Sequence, residues 1–234
     1  MAELFGFRIT RANQSGSSDG FTAPSTDDGT MDIVSGGGHY ASILDMDGRD
    51  KNELDLIRRY RDIAQQAECD SAIEDIVNEA IVSDERDQSV SISLDNLNQS
   101  ANIKSKIRDE FDEVLRLLDF NAKGHDIFRR WYVDGRVYYH KIIDTKMPRK
   151  GIKEVRFIDP RKIKKVREQR KEKDPKTGLD MVKNIEDFYL YNEKGADQNT
   201  GTSTGVKITA DAISYCPSGL VDMHKGTVLS HLNK

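Results

Sequence analysis

The dominant spacing of the apolar residues changes along this chain, and that change limits the fold more than any other feature. Up to Leu118 they recur mainly at intervals of three and four, with one alternating run at residues 90–94; from Trp131 onward they alternate. A chain patterned for helix first and strand later, without βαβ alternation, builds an α+β fold rather than a doubly wound parallel sheet. Leu54, Ile57, Ile63, Ala64 and Ala67, then Ile73, Ile76, Val77, Ala80 and Ile81, predict two helices or one helix kinked near Asp70. Asp50 with Glu53, and Ser71 with Glu74, stand at capping-box spacing. In "SVSISL", Val90, Ile92 and Leu94 predict a strand with one buried face. Ile103, Ile107, Phe111, Val114, Leu115 and Leu118 form the cleanest amphipathic stripe, a helix that needs a sheet or another helix to cover it.

Past that helix, "WYVDGRVYY" reads as two β-rich runs joined at Asp134-Gly135, a dipeptide suited to a type I′ turn. A hairpin follows, with Trp131, Tyr132, Tyr138 and Tyr139 as packing aromatics and Asp134 and Gly135 as its turn. Further strands are expected at "EVRFID", "IKKV", "DFYLYN" and "ISYCP", with turns at Asp159-Pro160 and "KDPKTG" and a Gly/Thr-rich loop at 194–205. Ahead of the helices, residues 10–39 are rich in Ser, Thr, Gly, Asp and Asn without apolar period. Such a stretch buries too little surface to offset its ordering entropy, so residues 1–45 are expected to form a flexible polar arm. The closing "GTVLSHLNK" reads as the first turn of a helix without a C-cap, as in a chain cut from something longer.

The net charge of −4 conceals an asymmetry. Residues 1–100 hold 8 Lys and Arg against 20 Asp and Glu; residues 101–234 hold 28 against 20. Most of the basic excess lies between Lys146 and Lys173, with 13 basic and 4 acidic residues. Subunits stacked acid against base, or a local polyanion contact, would use such polarity. No apolar run approaches the roughly 18–20 residues of a membrane span, and the N-terminus lacks the basic and apolar regions of a secretory signal. Cys69 and Cys216 stand far apart, outside any CxxC or Cys/His grouping, as expected of unremarkable thiols in a reduced compartment.

Catalytic, metal and cofactor patterns fit poorly. "DMDG" at Asp45–Gly48 would put Ile43 and Leu54 at calcium-ligand positions, so it is a polar turn. "SGGGHY" lacks the spacing and context of a nucleotide loop. His140 has no ligand partner at suitable spacing. Asp144 and Asp159 each follow a strand, and a magnesium-dependent nuclease pair is imaginable there; each is also explained locally as a strand-end or turn residue. The basic segment is the strongest chemical feature. Lys150, Arg156, Arg161, Lys162, Lys164, Lys165, Arg167 and Arg170 are candidates for contact with a neighbouring subunit or with DNA, and a solvated strand face is the plain alternative. Phe157 is the one aromatic within the run, fewer than a single-strand stacking platform uses.

"DSAIEDIVNEAIV", "DEFDEVLRLLDF", "FRRWYVDGRVYYHKIID", "GIKEVRFIDPRKIKKVRE" and "SGLVDMHKGTVLSHL" occur in register over about 180 residues, from about residue 50 to Lys234. In this order and at these separations they resemble the portal vertex protein, or head-to-tail connector, of T-even-type contractile-tailed bacteriophages. The resemblance implies a non-enzymatic, cofactor-free structural subunit of the virion, assembled in the host cytoplasm. It implies a homododecameric ring at the unique capsid vertex, through which double-stranded DNA is packaged and ejected. The implied partners are the terminase motor, capsid and scaffold proteins, and neck and tail proteins. Residues 46–234 would form the wing region, with helices over about 50–120 and a β-rich layer over about 129–217; the stem, clip and tunnel parts of the family lie beyond this sequence. In that setting Arg161, Lys162, Lys164 and Lys165 are expected to pair with the acidic first helices of an adjacent subunit. A free-standing nucleic-acid-binding module using residues 146–173 is the rival reading.

Overall fold

The computed structural model describes residues 2–4, 7–9, 28–35, 49–82, 89–173, 180–193, 205–222 and 226–233. Short strands β1 (Ala2–Leu4), β2 (Phe7–Ile9) and β3 (Met31–Ser35) precede helices α1 (Arg49–Ala64), α2 (Ala67–Ala80), α3 (Ala101–Leu118) and α4 (Phe120–Asp134). The β-rich part follows as β4 (Arg136–Ile143), β5 (Ile152–Ile158), β6 (Ile163–Lys173), β7 (Asp180–Tyr191), β8 (Val206–Thr209), β9 (Ile213–Pro217), β10 (Val221–Asp222) and β11 (Thr227–Val228). The α+β order expected from the apolar spacing is what the chain adopts.

The largest correction concerns the expected hairpin. Trp131, Tyr132, Val133 and Asp134 form the last turn of α4, and Gly135 is the left-handed residue that ends it, at φ 73°. Its N–H donates to the Trp131 carbonyl at 2.9 Å, a helix-terminating bond rather than a type I′ turn. Positive φ favours glycine here, and so does space: a Cβ would stand 2.5 Å from the Leu229 carbonyl oxygen. Tyr138 then belongs to β4, which pairs with β5 and β9 instead of with a strand at Trp131.

Smaller departures follow the same physics. The break between α1 and α2 falls at Gln65–Gln66, before Asp70, so Ser71 lies inside α2 and Gln66 occupies its N-cap without a side-chain bond. Asp50 lies within α1. "SVSISL" keeps the expected alternation, with Leu94 buried and Ile92 half-buried, but joins no sheet. Period two reports an extended segment with one inner face; a ladder also needs a neighbouring strand. "GTVLSHL" supplies β11 and a turn instead of a helix. Met31–Ser35 departs from the expected arm by forming β3, parallel to β6. Most of the remaining arm, the polar turn at 45–48, most of "KDPKTG" and residues 194–204 of the Gly/Thr-rich loop lie outside the described residues.

Two sheets and a helical layer share the apolar load. Tyr60, Ala64, Ile73, Val77 and Val133 join α1, α2 and α4, with Phe128, Tyr132 and Leu232 against them. Full burial of a side chain such as Ile73 contributes about 1.5–3 kcal/mol. A four-stranded sheet, ordered β3-β6-β7-β8, and a three-stranded sheet, ordered β5-β4-β9, meet through Tyr138, Ile163, Tyr189 and Ile213. Tyr138 stacks on Tyr215 at 4.6 Å and meets Tyr189 edge-on at 6.1 Å. Burial raises the phenol of Tyr138 and pushes those of Tyr189 and Tyr215 up to about 12. By contrast α3, the most amphipathic helix in the sequence, has no buried residue: Ile103 and Val114 remain exposed.

Candidate functional site: a charge-paired seam

β5, the turn after it and β6 carry much of the basic segment. Strand alternation sends neighbouring cations such as Lys164 and Lys165 to opposite faces, and the chain brings carboxylates to meet them. Lys164 reaches Glu53 of α1 at 3.2 Å, and Lys165 pairs with Asp28. Arg167 makes a two-point contact with Asp187 of β7, at 2.8 and 3.0 Å. Arg170 bonds Glu168 at 3.1 Å, and Arg156 bonds Glu154 at 2.6 Å on the exposed face of β5. Arg161 clasps Asp159 at 2.8 Å, just after β5. Lys162 and Lys150 have no ion pair among the described residues; Lys150 is exposed and Lys162 half-buried.

At the centre stands a residue the sequence did not single out. Arg61 of α1 presents its guanidinium edge to Asp134 at 2.8 and 2.7 Å, and touches Asp159 at 3.2 Å. One cation thereby ties α1 to the end of α4 and to the turn after β5. Asp134 is 3% exposed at its side chain, so this carboxylate depends on Arg61 for its charge compensation. Hydrogen bonding to Asp134 raises the Arg61 guanidinium above its ordinary value, outweighing burial. Burial alone would raise Asp159; bonds from Arg161 and Arg61 overcome it and hold the carboxyl well below the usual range.

A second strut lies beside the first. Arg136, the first residue of β4, is buried and pairs with Glu53, which also takes Lys164, while the Arg136 guanidinium donates to the Val228 carbonyl. Asp28 is held low for related reasons: burial opposes the shift, but bonds from Lys165 and Thr30 exceed it. A bond from Arg167 lowers Asp187. The pairings of Arg136 with Glu53 and of Lys165 with Asp28 were not legible from local spacing, because they span 83 and 137 residues in sequence. The signal available was the charge asymmetry between halves, which the chain satisfies within itself at Glu53 and Asp28.

A cleft of about 500 Å3 opens above the seam, lined by Arg61, Arg129, Arg130, Asp126, Asp134 and Asp159 among others. Its cations are committed: Arg129 pairs with Asp70, and Arg130 lies 4.7 Å over the Phe157 ring. The imagined nuclease carboxylates do not meet. Asp144 follows β4 and Asp159 follows β5, and the antiparallel register of the two strands sets these residues at opposite ends of the pair. A seven-residue strand places them on the order of 20 Å apart, too far to share an ion. Asp144 instead accepts the Lys146 N–H at 2.9 Å. Among the described residues no group of three or more His, Cys, Asp or Glu is placed to hold a metal ion, and no helix is long and apolar enough to cross a membrane.

Comparison of the sequence with known proteins finds similarity to phage proteins. Residues 53–234 match the family described as bacteriophage T4-like portal protein (Gp20). A portal protein of Vibrio phage KVP40 is 36% identical over 215 residues, which cover 86% of this chain and 41% of that protein. A portal protein of Salmonella phage ViI is 29% identical over 218 residues, covering 88% and 39%. The chain spans about two-fifths of the length of these curated relatives.

Proposed function

The chain belongs to the bacteriophage T4-like portal protein family, and from that premise we propose that it acts as the wing region of a portal subunit. In this reading it is a structural element of a dodecameric ring at one vertex of the phage head. Double-stranded DNA passes through that ring during packaging and ejection; terminase, capsid and scaffold, and neck and tail proteins dock on it. The protein performs no catalysis and takes no cofactor. It is assembled in the host cytoplasm and remains in the virion.

The observation that carries the reading is the match over residues 53–234, which spans both the helical layer and the sheets. The seam fits a load-bearing role, because helices and sheets are cross-linked by charge as well as by apolar packing. Arg156, Arg161, Lys164, Lys165, Arg167 and Arg170 hold the fold in this proposal, while Lys150 and Lys162 are available for outward contact. The test is a chimera in which this chain replaces the matching part of the Vibrio phage KVP40 portal protein. Closed rings in electron micrographs, with a tag on this segment at the outer rim, are expected. Absence of rings from a folded chimera, when the parent forms them, would contradict the reading. The rival reading, a DNA-binding module using residues 146–173, has in its favour the exposed cations of the β4–β5 loop; it requires affinity for duplex DNA that falls steeply with salt.

A further inference from the structure

Away from the seam, two surfaces of opposite charge carry side chains that form no ion pair among the described residues. The loop from β4 to β5 carries Lys146, Arg149 and Lys150, and Lys153 follows on β5; all four are exposed, and none has an ion pair among the described residues. The loop carboxylate nearest to them, Asp144, is occupied by the Lys146 N–H. Apolar surface lies among these cations, since Ile143 is 48% exposed and Met147 50%.

α2 is the complement. It holds five carboxylates and no basic residue. Ile73 and Val77 fix its inner face. At 100° per residue, Glu68, Ala72, Asp75 and Glu79 fall on the opposite face, and all four are exposed. Asp70 is taken by Arg129, whereas Glu68, Asp75 and Glu79 have no ion pair among the described residues. Ile76, at the edge of this face, is 38% exposed. From Glu68 to Glu79 the stripe runs about 16 Å, a length a short loop with four cations can cover.

The two surfaces belong to different elements of one chain. α2 runs beside α4 with Asp70 near Arg129 and Ile81 near Gly124. β4 begins after the α4 C-terminus, and its eight residues put roughly 25 Å of strand between that terminus and the loop. Two different, complementary patches on one subunit are what a head-to-tail ring contact needs.

We propose that the β4–β5 loop of one copy of this chain docks on the outer face of α2 of the next copy. Lys146, Arg149, Lys150 and Lys153 face Glu68, Asp75 and Glu79, with Ile143 and Met147 seated beside Ala72 and Ile76. The inference rests on the ring reading above. A second copy is favoured over a polyanion because the loop sets apolar side chains among its cations and offers no aromatic residue for base stacking.

The test mixes unlabelled and isotope-labelled samples of the full 234-residue chain and applies a zero-length carboxylate–amine cross-linker. Mixed-isotope links from Glu68, Asp75 or Glu79 to Lys146, Lys150 or Lys153 are expected. The chain carrying K146E, R149E, K150E and K153E should self-associate at least about tenfold more weakly, as should the chain carrying E68K, D75K and E79K. Mixing these two reversed chains should restore association, which also guards against misfolding of either. Mixed-isotope links confined to other surfaces, or a parent chain that stays monomeric at the highest soluble concentration, would overturn the docking. Steep salt-dependent DNA binding that is lost with the loop reversal while association is unchanged would overturn it in favour of a phosphate contact. Rings from the KVP40 chimera together with any of these failures would leave the portal reading standing; a folded chimera without rings would remove that reading itself.

Discussion

The cations of β6 and those of the β4–β5 loop come from one basic stretch of sequence but meet opposite fates. Lys164, Lys165, Arg167 and Arg170 each find a carboxylate from another turn, strand or helix or from their own strand. Lys146, Arg149, Lys150 and Lys153 stay in solvent. Burial and covalent reach make the difference. β6 lies inside a sheet between β3 and β7, where Glu53 of α1 and Asp28 ahead of β3 reach its lysines. The loop follows the end of β4, and its cations form no ion pair among the described residues. A run of like charge is therefore not one site, and its density says less about function than the position of each strand does.

This contrast can be broken from the buried side first. Asp134→Ala removes the buried carboxylate that Arg61 grips at two points and leaves that guanidinium with Asp159 alone. It should cost about 2–3 kcal/mol of folding stability by urea titration; a loss within error would mean the seam is decorative. Glu53→Gln removes the carboxylate shared by Arg136 and Lys164, with Arg136 4% exposed at its side chain. About 2–3 kcal/mol should be lost, and Glu53→Asp should recover part of it.

Acid should act on the same groups collectively. Asp159, Asp28 and Asp187 are held below their ordinary values by cationic or hydroxyl partners in the fold. Their contribution is fully present above the unfolded carboxylate value near 4, and is lost as pH falls through the lowered folded values. The melting temperature should drop from roughly pH 5 downward, and Arg61→Gln should flatten that drop. A profile unchanged by Arg61→Gln would detach Asp159 from the seam. Among the paired cations, Arg167→Gln should cost about 1 kcal/mol or less, since its partner Asp187 is one-third exposed. Reversing the four loop cations should change stability by no more than about 0.5 kcal/mol, while association falls.

Much of the skeleton was readable beforehand because periodic patterns are local. α1, α2 and α3 follow from apolar residues at three and four, and β5, β6, β7 and β9 from β-branched and aromatic alternation. α4 was misread because "WYV" favours strands, and because Asp-Gly suits a type I′ turn and a helix end alike; both want positive φ at the glycine. Tertiary packing decides between them: Phe128, Trp131 and Tyr132 lie three and four residues apart and pack together, with His231 against Trp131 and Tyr132. β3 was missed because its partner β6 lies some 130 residues downstream in a polar context. The seam was hidden for the same reason. Its cross-element pairs, Arg61–Asp134, Arg136–Glu53 and Lys165–Asp28, join residues far apart, whereas the sequence displayed only an acidic half and a basic half.

A salt titration that follows folding and self-association on one sample of the chain tests the division of charge most directly. Exposed pairs are screened over about 10 Å at 0.1 M salt, and buried pairs much less. Added salt should therefore weaken association while leaving the urea midpoint nearly fixed. Salt that lowers the midpoint and spares association would contradict the account, placing the structural work in exposed charges and the contact between copies elsewhere.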